Sequence, residues 1–469
     1  MQFRLARPET LSNAIKICDA IREAGGRGLF VGGCVRDAML EAVSEEIDIE
    51  AYGLEQEQLH SILARNFTTD WIGKSFGVFK ILNDRIDVSL PRKERKTAPG
   101  HRGFDVQVDH SMDFAEACMR RDFTVNAMLY DPLTEELIDP LGGAKDLKNK
   151  TLRHCSDKFS EDALRVYRAM RFSARLDFEV APETLELCGR IDTAEISEER
   201  IHAEWRGTML TAVRFSRALK FLVATGHVRH YPELAALSGC PQNALYHPEG
   251  DVMTHVGLCM DYYCKMRPAD TDDALILGWA VLCHDLGKPA TTVTDEKGRI
   301  TSHGHEVEAE PLVKSFMKKV TKQKDHIGQI LKLVRWHMEA RNIENCRNKL
   351  KKVRKLSSLV GRLDLLALLF DIDGNGRGQK EIYYAPGSAI LREIGAELDI
   401  LRQKPDPVFT GKTLIALGHT PGKEFSQILK KMYEHQLNGK FETEAQAIQH
   451  FKSQPIQHPK SQPEPKLNP

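Results

Sequence analysis

Residues 29–37 read LFVGGCVRD, and residues 45–50 read EEIDIE. The apolar run that ends in two glycines predicts a short buried strand whose end lets the backbone approach a ligand closely. The alternating segment that follows predicts a second strand, and residues two apart on a strand project from the same side. Glu46 and Asp48 therefore share one face, a short distance along the chain from the glycines.

The glycines and carboxylates together predict a site for a nucleoside triphosphate. The backbone at Gly32 and Gly33 can approach phosphate groups closely. Glu46 and Asp48 can hold Mg²⁺ against those phosphates, and Asp87, on a neighbouring strand in RIDVSLP, can complete the set of ligands. Such a cluster neutralises the triphosphate and helps to activate an attacking hydroxyl group.

Composition sets broad limits on the fold and the location of the protein. A chain of 469 residues is too long for one core. The formal net charge is zero, so any binding of nucleic acid has to come from local patches. The ten cysteines form no CxxC pair, which predicts free thiols in a reducing compartment. The sequence shows no signal peptide and no long apolar run, so we expect a cytoplasmic location without a membrane span.

The character of the sequence changes along the chain. Apolar spacing predicts a helix over residues 10–25, with Thr10 or Ser12 as a possible cap, and strand patterns follow in GRGLFVGG, EEIDIEAYG and FGVFKILNDRIDVSLP. This region is α+β, whereas helical patterns dominate after DPLGGAKDL. We predict an α+β head at 1–147, a helical domain at 148–240, a histidine-rich helical domain at 241–385, a small C-terminal helical region at 386–452 and a disordered tail at 453–469.

Seven motifs keep one order along the chain: GGCVRD, the acidic pair, LPRKERKTAPGHRGF, RRDFTVNAM, DPLGGAKDL, EDALRVYRAMRFSARL and ERIHAEW. In that order they resemble the bacterial-type (class II) tRNA nucleotidyltransferases, which are the CCA-adding enzymes and their poly(A) polymerase relatives. The resemblance covers at least residues 28–210. It implies a polymerase-β-like nucleotidyltransferase head with a mixed sheet and helices, followed by an all-α neck and body.

The resemblance implies a role for each matching position. The residues that it associates with nucleotide binding are Gly32, Gly33, Arg36, Asp37, Arg121, Asp122, Asn126, Asp162, Arg165 and Arg168. Among them, Asp162 and Arg165 fall on the family's protein template, where such a pair reads the Watson–Crick edges of C and A. Arg200 and Glu204 match a helix motif that braces this template, and residues 92–103 match a flexible loop coupled to the switch from C to A addition.

The implied metal ligands include one departure from the family pattern. Glu46 and Asp48 fall where the family carries Asp-x-Asp, so a side chain one methylene longer replaces the first aspartate. Mg²⁺ requires near-ideal octahedral geometry, which makes this change relevant to activity. One alternative is that Asp48 and Glu50 form the pair, but the AYGL that follows aligns with the family pattern in a way that favours Glu46 and Asp48. A second alternative is that the head has become an RNA-binding module.

Histidines and aspartates of the third region recur in the pattern of a metal site. The candidates are His255, His284, Asp285, His305, His337 and Asp373, with Asp371 as the alternative to Asp373. Imidazoles combined with carboxylates suit Mn²⁺, Fe²⁺, Ni²⁺, Co²⁺ or Zn²⁺. The dyad in LCHDLGKP, with Gly287 and Pro289 expected to end its helix, is similar to the HD-superfamily phosphohydrolases. That resemblance implies hydrolysis of phosphoesters at a site with one or two metal ions such as Ni²⁺, Mn²⁺ or Co²⁺.

The sequence therefore predicts a template-independent RNA nucleotidyltransferase that adds C and A to tRNA 3′ ends from CTP and ATP, with Mg²⁺ in the head. The attached HD domain would hydrolyse 2′,3′-cyclic phosphates or 2′-phosphates. The alternatives are an HD phosphohydrolase with a degenerate, RNA-binding head, or an enzyme that adds CC only, A only or poly(A). Asp162, Arg165 and the 92–103 loop favour full CCA addition, and the lack of a long basic tail argues against poly(A) synthesis.

Overall fold

A computed structural model describes residues 1–72, 77–96, 104–378 and 382–454 of the chain. Part of the predicted 92–103 loop, residues 97–103, and the predicted tail from residue 455 onward lie outside the described residues. The predicted domain boundaries stay predictions.

The chain forms two compact units. The first unit contains residues 1–239 together with 314–323, and the second contains residues 240–313 together with the chain from 324 onward. All ten cysteines are described, and none of them forms a disulfide bond. Within the part of the chain that the structure describes, we find no helix that combines the length and the apolar character needed to cross a membrane.

The strands are β1 Arg4–Leu5, β2 Arg27–Val31, β3 Val43–Ser44, β4 Ile47–Tyr52, β5 Thr69–Ile72, β6 Val78–Ile81, β7 Ile86–Ser89, β8 Arg92–Lys96, β9 Phe104–Val108, β10 Leu129–Asp131, β11 Glu136–Ile138, β12 Thr151–Leu152, β13 Glu179–Val180, β14 Val293–Thr294 and β15 Ile300–Thr301. The helices of the first 239 residues are α1 Pro8–Glu23, α2 Gly33–Met39, α3 Gln56–Asn66, α4 Phe114–Met119, α5 Gly143–Lys148, α6 Leu164–Leu176, α7 Pro182–Arg190, α8 Glu198–Thr211, α9 Ser216–Ala224 and α10 Pro232–Ala235.

The remaining helices are α11 Val252–Met266, α12 Thr271–Cys283, α13 Lys288–Thr291, α14 His305–Val320, α15 Lys324–Trp336, α16 Glu339–Glu344, α17 Lys349–Val360, α18 Leu363–Asn375, α19 Pro386–Glu397, α20 Gly411–Ala416, α21 Lys423–Leu437 and α22 Glu444–Ser453. Three short 3₁₀ helices lie at Thr124–Asn126, Asp157–Glu161 and His227–His230. This order, strands first and helices after them, confirms the predicted α+β head followed by helical regions.

A seven-stranded mixed sheet forms the centre of the head, in the order β11-β10-β2-β4-β7-β6-β5. Strand β2 is buried because its Leu29 and Phe30 are fully covered. It runs antiparallel to β4 and brings Val31 opposite Asp48, while β4 runs parallel to β7 and brings Asp48 opposite Asp87. The register of the sheet therefore places the glycines after β2 beside two of the three predicted metal ligands.

The first helix differs from the prediction at its start. It begins at Pro8, which is favoured at the first helical position because its fixed φ angle suits a helix and its missing N–H is not needed there. Thr10 and Ser12 lie inside the helix and are not its cap. Thr10 Oγ1 instead donates a hydrogen bond to Asp84 Oδ1 at 2.5 Å, and Asn13 Nδ2 donates to Asp84 Oδ2 at 2.9 Å. These contacts join α1 to the turn between β6 and β7.

The helical neck packs around Trp205. This side chain on α8 is fully buried, and its Nε1 atom donates a hydrogen bond to the hydroxyl of Tyr231 at 2.8 Å. The ring of Phe316 packs edge-on against Trp205, with ring centroids 6.0 Å apart, so residues 314–323 complete this core of the first unit. The neck is not entirely helical, since β12 and β13 form a short parallel pair.

In the second unit, the HD dyad lies just past the end of its helix rather than within it. Helix α12 ends at Cys283, and His284 is its C-terminal cap residue. Gly287 and Pro289 begin the short helix α13, so they do not end the helix of the dyad as expected from the sequence. Strands β14 and β15 form an antiparallel pair, and the C-terminal helices pack around a small core made of Phe409, Leu414, Met432, Phe441, Ala447 and Phe451.

Candidate active sites

A cluster of carboxylates lies at β4 and β7, two neighbouring strands in the interior of the head sheet. Asp48 is half-buried, Glu46 precedes β4 and is exposed, and Asp87 lies opposite Asp48 on β7. Burial, followed by repulsion from Glu46, raises the pKa of Asp48 to about 6. Carboxylates that repel one another in this way fit a divalent cation, because a cation removes the repulsion.

Gly32 leaves a gap beside these carboxylates. Its φ angle is +75°, in the left-handed region that favours glycine. A Cβ atom at this position would lie 3.4 Å from Arg121 Nη1 and 3.5 Å from Asp48 Oδ2. Glycine therefore leaves the space between an arginine and a predicted metal ligand open, which is the space that phosphate oxygens need.

Glu50, the alternative metal ligand, is engaged by arginines. It is fully buried and accepts hydrogen bonds from Arg120 Nη2 at 2.6 Å, Arg121 Nη2 at 3.4 Å and the Tyr52 hydroxyl at 2.8 Å. Burial opposes ionisation, but the charges of Arg121 and Arg120 keep the pKa of Glu50 below its ordinary value. Its repulsion of Asp48 is smaller than that from Glu46, so the geometry favours Glu46 over Glu50 as the partner of Asp48.

Replacing Glu50 by alanine is expected to destabilise the protein by about 3–5 kcal/mol, since the change leaves two largely buried guanidinium groups without their carboxylate. Urea unfolding followed by circular dichroism measures this free energy. The matched control is Glu136→Ala, which removes a carboxylate that is 56% exposed from its ion pair with Arg27 and should cost less than about 1 kcal/mol. Equal losses in the two variants would contradict a buried structural role for Glu50.

Five predicted nucleotide-binding residues form one network. Arg36 Nη2 lies 2.7 Å from Asp37 Oδ1, and Arg36 Nη1 donates to Asn126 Oδ1 at 2.5 Å. Asn126 Nδ2 donates to Asp122 Oδ1 at 3.1 Å, and Arg168 Nη2 lies 2.6 Å from Asp122 Oδ2. Burial disfavours the charged form of Asp122, but Arg168 holds its pKa below the ordinary value. The network fixes two arginines whose positive charge suits phosphate.

The two template residues are held by different partners. Arg200 Nη2 donates to Asp162 Oδ2 at 3.0 Å and to its Oδ1 at 3.2 Å, so the predicted bracing residue reaches the template directly. Arg165 donates through Nη1 to the carbonyl of Lys158 at 2.9 Å and through Nη2 to the carbonyl of Arg120 at 2.5 Å. Both template side chains are half-buried and orientated by neighbouring groups, as base recognition requires.

Two further arginines were missed by the sequence analysis. Arg171 Nε lies 2.9 Å from Glu204 Oε2, and Arg175 Nη2 lies 3.5 Å from Asp37 Oδ2. Burial lowers the pKa of both guanidinium groups below the ordinary value. The signal was present in the spacing, because arginines recur every three or four residues along one face of α6, at 165, 168, 171 and 175.

The carboxylates, glycines and arginines of this site line one cleft of about 1040 Å³ in the first unit. The cleft brings together every site residue predicted in the head and neck, namely Gly32, Gly33, Arg36, Asp37, Glu46, Asp48, Asp87, Arg121, Asp122, Asn126, Asp162, Arg165 and Arg168, and it adds Arg171 and Arg175. Its volume is at the upper end for ligand pockets, so it can take a nucleotide together with part of a second substrate.

Four buried imidazoles converge in the second unit. The Nδ1 atoms of three of them lie 2.7–2.8 Å from backbone carbonyls, and that of His255 lies 2.8 Å from Glu249 Oε1. A carbonyl only accepts, so the Nδ1 atoms of His284, His305 and His337 donate and their Nε2 atoms are left for other partners. The Nε2 atoms of His305 and His337 are only 3.2 Å apart. Two ring nitrogens at this distance fit coordination of one metal ion, since Zn–N bonds are about 2.0–2.1 Å long.

The pKa of His337 supports this arrangement. Burial, reinforced by the neighbouring His284 and His305, lowers it to about 3. The ring is therefore neutral at physiological pH, which is the form that binds metals.

Two aspartates complete this cluster. Asp373 Oδ1 lies 3.0 Å from His255 Nε2, while Asp285 lies 3.3 Å from His284 Nε2 through Oδ2 and 3.4 Å from His305 Nε2 through Oδ1. The six predicted HD residues are thus brought together.

The structure also distinguishes Asp373 from its alternative, Asp371. Asp371 accepts hydrogen bonds from the backbone N–H of Ala385 at 2.9 Å and from Ser388 Oγ at 2.5 Å, and it forms an ion pair with Arg392. These partners occupy its carboxylate away from the imidazoles, which favours Asp373 as the ligand.

Three other side chains at this centre were missed. Glu249 and His247 lie in the loop before α11, with His247 Nδ1 2.9 Å from Glu249 Oε1. Cys259 lies one turn after His255 on α11, and its Sγ atom is 3.5 Å from His255 Nε2. The spacing of four residues between His255 and Cys259 was the available sequence signal, since it places both on one helix face.

Comparison with known proteins matches a family model to a segment of each unit. The family model described as the poly A polymerase head domain matches residues 29–153, and the HD domain model matches residues 252–370. The multifunctional CCA protein of Xanthomonas campestris pv. campestris (strain B100) is 33% identical over 389 residues, which cover 79% of this chain and 90% of that protein. The chain belongs to the multifunctional CCA protein family. A second member, from Xylella fastidiosa (strain 9a5c), is 38% identical over 276 residues, which cover 56% of this chain and 63% of that protein.

Solved structures related to the multifunctional CCA proteins share the fold. The Bacillus stearothermophilus CCA-adding enzyme in complex with CTP has a TM-score of 0.64 at 21% identity and covers 95% of this chain and 98% of its own. The Thermotoga maritima CCA-adding enzyme complexed with tRNA has a TM-score of 0.58 at 17% identity, with 95% of each chain covered. The predicted family, its nucleotidyltransferase head and its HD domain are confirmed, and so is the prediction of an enzyme. Head and HD domains of these kinds generally use divalent metal ions, which agrees with the groups of possible ligands in the second unit.

Proposed function

We propose that the first unit adds C and A to the 3′ end of tRNA from CTP and ATP, in the cytoplasm. The observation that carries the proposal is the sheet register that sets Asp48 opposite Asp87 and beside the gap at Gly32, inside a cleft lined with arginines. The relatives are named multifunctional CCA proteins, and the structural neighbours include complexes with CTP and with tRNA. These names support CCA addition over the binding-module and poly(A) alternatives.

The residues of the cleft would have different roles in the reaction. Glu46, Asp48 and Asp87 would hold Mg²⁺, which when bound neutralises the triphosphate and favours attack by a hydroxyl. Arg36 and Arg168 supply positive charge fixed by hydrogen bonds, so little reorganisation is needed when the phosphates bind. The 3′ hydroxyl of the tRNA attacks the α-phosphorus, a new phosphodiester bond forms, and pyrophosphate leaves.

Incorporation of radiolabelled CTP and then ATP into tRNA truncated at its 3′ end, with Mg²⁺, tests the proposal. Addition of C and then A in order is the expected result. Addition of C alone or A alone would replace it with a partial activity. No addition by a preparation that hydrolyses a phosphoester with Ni²⁺ or Mn²⁺ would overturn it and leave the head as a binding module.

Asp162→Ala is expected to lower discrimination against UTP and GTP by about 10- to 100-fold. The reason is that a side chain that pairs with a base edge contributes about 1–3 kcal/mol of selectivity. The ratios of kcat/KM among the four nucleoside triphosphates measure it. Asp157→Ala is the matched control, because Asp157 is an exposed carboxylate in the preceding 3₁₀ helix. A uniform loss of kcat/KM with unchanged ratios would show that Asp162 only supports the fold of the neck.

We infer that the second unit hydrolyses phosphoesters such as 2′,3′-cyclic phosphates or 2′-phosphates at RNA ends. The observation that supports this is the convergence of four Nε2 atoms and two carboxylates in one buried cluster. One or two divalent transition metal ions such as Ni²⁺, Mn²⁺ or Co²⁺ would be held by His255, His284 and Asp373 in one group of ligands and by Asp285, His305 and His337 in another. When bound, such an ion activates water for attack on phosphorus.

Glu249→Ala is expected to weaken Ni²⁺ binding by about 10- to 100-fold, since a carboxylate that bonds Nδ1 of a ligating histidine fixes the ring and its tautomer. Calorimetric titration of the metal-free protein measures the dissociation constant. The amide oxygen of Glu249→Gln can still accept from His255 Nδ1, so this variant should recover part of the affinity. Unchanged affinity in the alanine variant would show that the backbone alone orientates His255.

A further inference from the structure

Cys259 lies within the imidazole cluster, and the proposed chemistry does not use it. Its side chain is fully buried on α11, one turn after His255. Ligand atoms of Cys259, His255, His284 and Asp373 all lie within 4.8 Å of one another. A buried thiol surrounded by three candidate metal ligands has the composition of a site for a soft or borderline metal ion.

The separation of the thiol from His255 matches shared coordination. A thiolate and an imidazole nitrogen on one tetrahedral zinc ion are about 3.6 Å apart, since Zn–S is about 2.3 Å and Zn–N about 2.0–2.1 Å. Cys259 Sγ and His255 Nε2 are 3.5 Å apart. Because His255 Nδ1 is bound by Glu249, the nitrogen nearest the thiol is the one left for a metal.

A second, independent feature points to a ligand at this position. The Nε2 atom of His284 is buried and makes no hydrogen bond to the residues that the structure describes, and its contact with Asp285 Oδ2 at 3.3 Å is an ion pair only. The side chain of His284 is 1% exposed, so water does not compensate for the missing bond. Its Nε2 atom belongs to the same group of donors as Cys259 Sγ, and a cation between them would satisfy it.

Gly376 keeps the space that the thiol occupies. A Cβ atom on this residue would lie 2.2 Å from Cys259 Sγ and 3.0 Å from His255 Cε1. Gly376 follows α18 directly and lies three residues after Asp373. The segment that carries the Asp373 carboxylate therefore also passes close to the thiol. The sulfur of Cys259 therefore packs against the backbone of Gly376, in space that a side chain at this position would fill.

We propose that Cys259 is a thiolate ligand of the metal centre in the HD domain and shifts its preference toward Zn²⁺ and Co²⁺ and away from Mn²⁺. The inference rests on the proposed metal-dependent function of the second unit. Thiolate favours the softer ions, whereas carboxylate and imidazole alone do not exclude Mn²⁺. On binding, the Sγ–H proton passes to solvent and the sulfur electron pair forms the bond to the ion, so uptake of metal releases a proton.

Titration of the metal-free full chain with Co²⁺ tests the proposal by absorption spectroscopy. We expect a near-ultraviolet band from charge transfer between thiolate and Co²⁺, which carboxylates of the transferase site do not produce. Cys259→Ser should abolish this band, and Cys264→Ser, on the same helix, should retain it. The ratio of Zn²⁺ to Mn²⁺ affinity should fall by about tenfold or more in Cys259→Ser alone.

X-ray absorption of the zinc-loaded unmodified chain is the second measurement, and it does not depend on the folding of a variant. A sulfur neighbour at about 2.3 Å supports the thiolate ligand, and a shell of only nitrogen and oxygen overturns it. Hydrolysis of a phosphoester by the same preparation separates the two proposals. Hydrolysis without the charge-transfer band overturns the role of Cys259 and keeps the HD function, whereas the absence of both band and hydrolysis overturns both.

Discussion

Asp48→Asn is expected to reduce incorporation of CTP and ATP into truncated tRNA by about 10³-fold or more. The substitution keeps the shape of the side chain but removes the charge from the residue at the centre of the carboxylate cluster. Asp48 lies opposite Asp87 in the sheet register, and its Oδ2 atom borders the gap at Gly32. Charge stabilisation by a bound metal contributes several kcal/mol to such a transition state, and each 1.36 kcal/mol corresponds to about a factor of ten in rate.

Glu46 is expected to contribute less than Asp48, because it precedes β4 and is exposed to solvent. We expect Glu46→Gln to lower incorporation by about 10- to 100-fold, since water can replace a solvent-exposed ligand in part. Single-turnover rates at saturating Mg²⁺ measure both variants.

Glu45→Gln is the matched control for Glu46. The neighbouring Glu45 carboxylate is also exposed, but it is paired with Arg85 at 2.6 Å, so its removal should leave the rate close to that of the unmodified chain. A Glu46→Ala variant with unchanged incorporation, alongside an inactive Asp48→Asn, would show that Glu46 is not a working ligand. Phosphoester hydrolysis in all four variants should be unaffected, which separates loss of the site from loss of the fold.

The sequence was most informative where side chains follow a strand. The alternation of EEIDIE places Glu46 and Asp48 on one face whatever the surrounding fold, because the period of a strand is two residues. The choice between Glu46 and Glu50 could not be made in this way, since all the even positions share that face. It depends on Arg120 and Arg121, which reach Glu50 from about 70 residues away in the chain, and pattern reasoning does not give that contact.

The same limit explains the residues that were missed. Arg171 and Arg175 carry the spacing of Arg165 and Arg168, but a stripe of arginines on a helix is also typical of a solvated surface. Only the packing of α6 against the head shows that the stripe lines the cleft. The end of α12 was also not predicted correctly. The helix ends at Cys283, before the dyad, and not at Gly287 or Pro289.

The HD centre illustrates the opposite case, in which family resemblance supplied the ligands but not their surroundings. Ordered histidines and aspartates were found over more than 100 residues of sequence, from His255 to Asp373. Glu249 carries no such pattern, and Cys259 is indicated only by its spacing of four residues from His255. Their importance follows from distances of 2.8 Å and 3.5 Å to the same imidazole. These contacts affect the orientation of His255 and the metal preference of the site. The order of residues along the chain specifies neither property.

Asp285→Asn is expected to abolish phosphoester hydrolysis, with a loss of about 10³-fold or more, while CCA addition stays within a few-fold of the unmodified chain. Asp285 is 1% exposed, and its Oδ2 atom lies 2.7 Å from Lys288 Nζ and 3.3 Å from His284 Nε2. Burial disfavours a charged carboxyl here, yet the charges of His284 and Lys288 hold its pKa well below the usual range. Asparagine removes the negative charge that balances the ammonium group and attracts the metal, so both metal affinity and rate should fall.

Hydrolysis of a 2′,3′-cyclic nucleotide with Ni²⁺ and incorporation of CTP into truncated tRNA, measured on one preparation, check this expectation. Asp272→Asn is the matched control, because this aspartate lies at the exposed start of α12, the helix that leads to the dyad, with its side chain 68% exposed. Together with Asp48→Asn, the variant makes a reciprocal pair in which each change removes one activity and keeps the other. Loss of both activities in Asp285→Asn, with unfolding unchanged by circular dichroism, would contradict two independent sites, because a carboxylate that serves only hydrolysis has no physical reason to affect transfer.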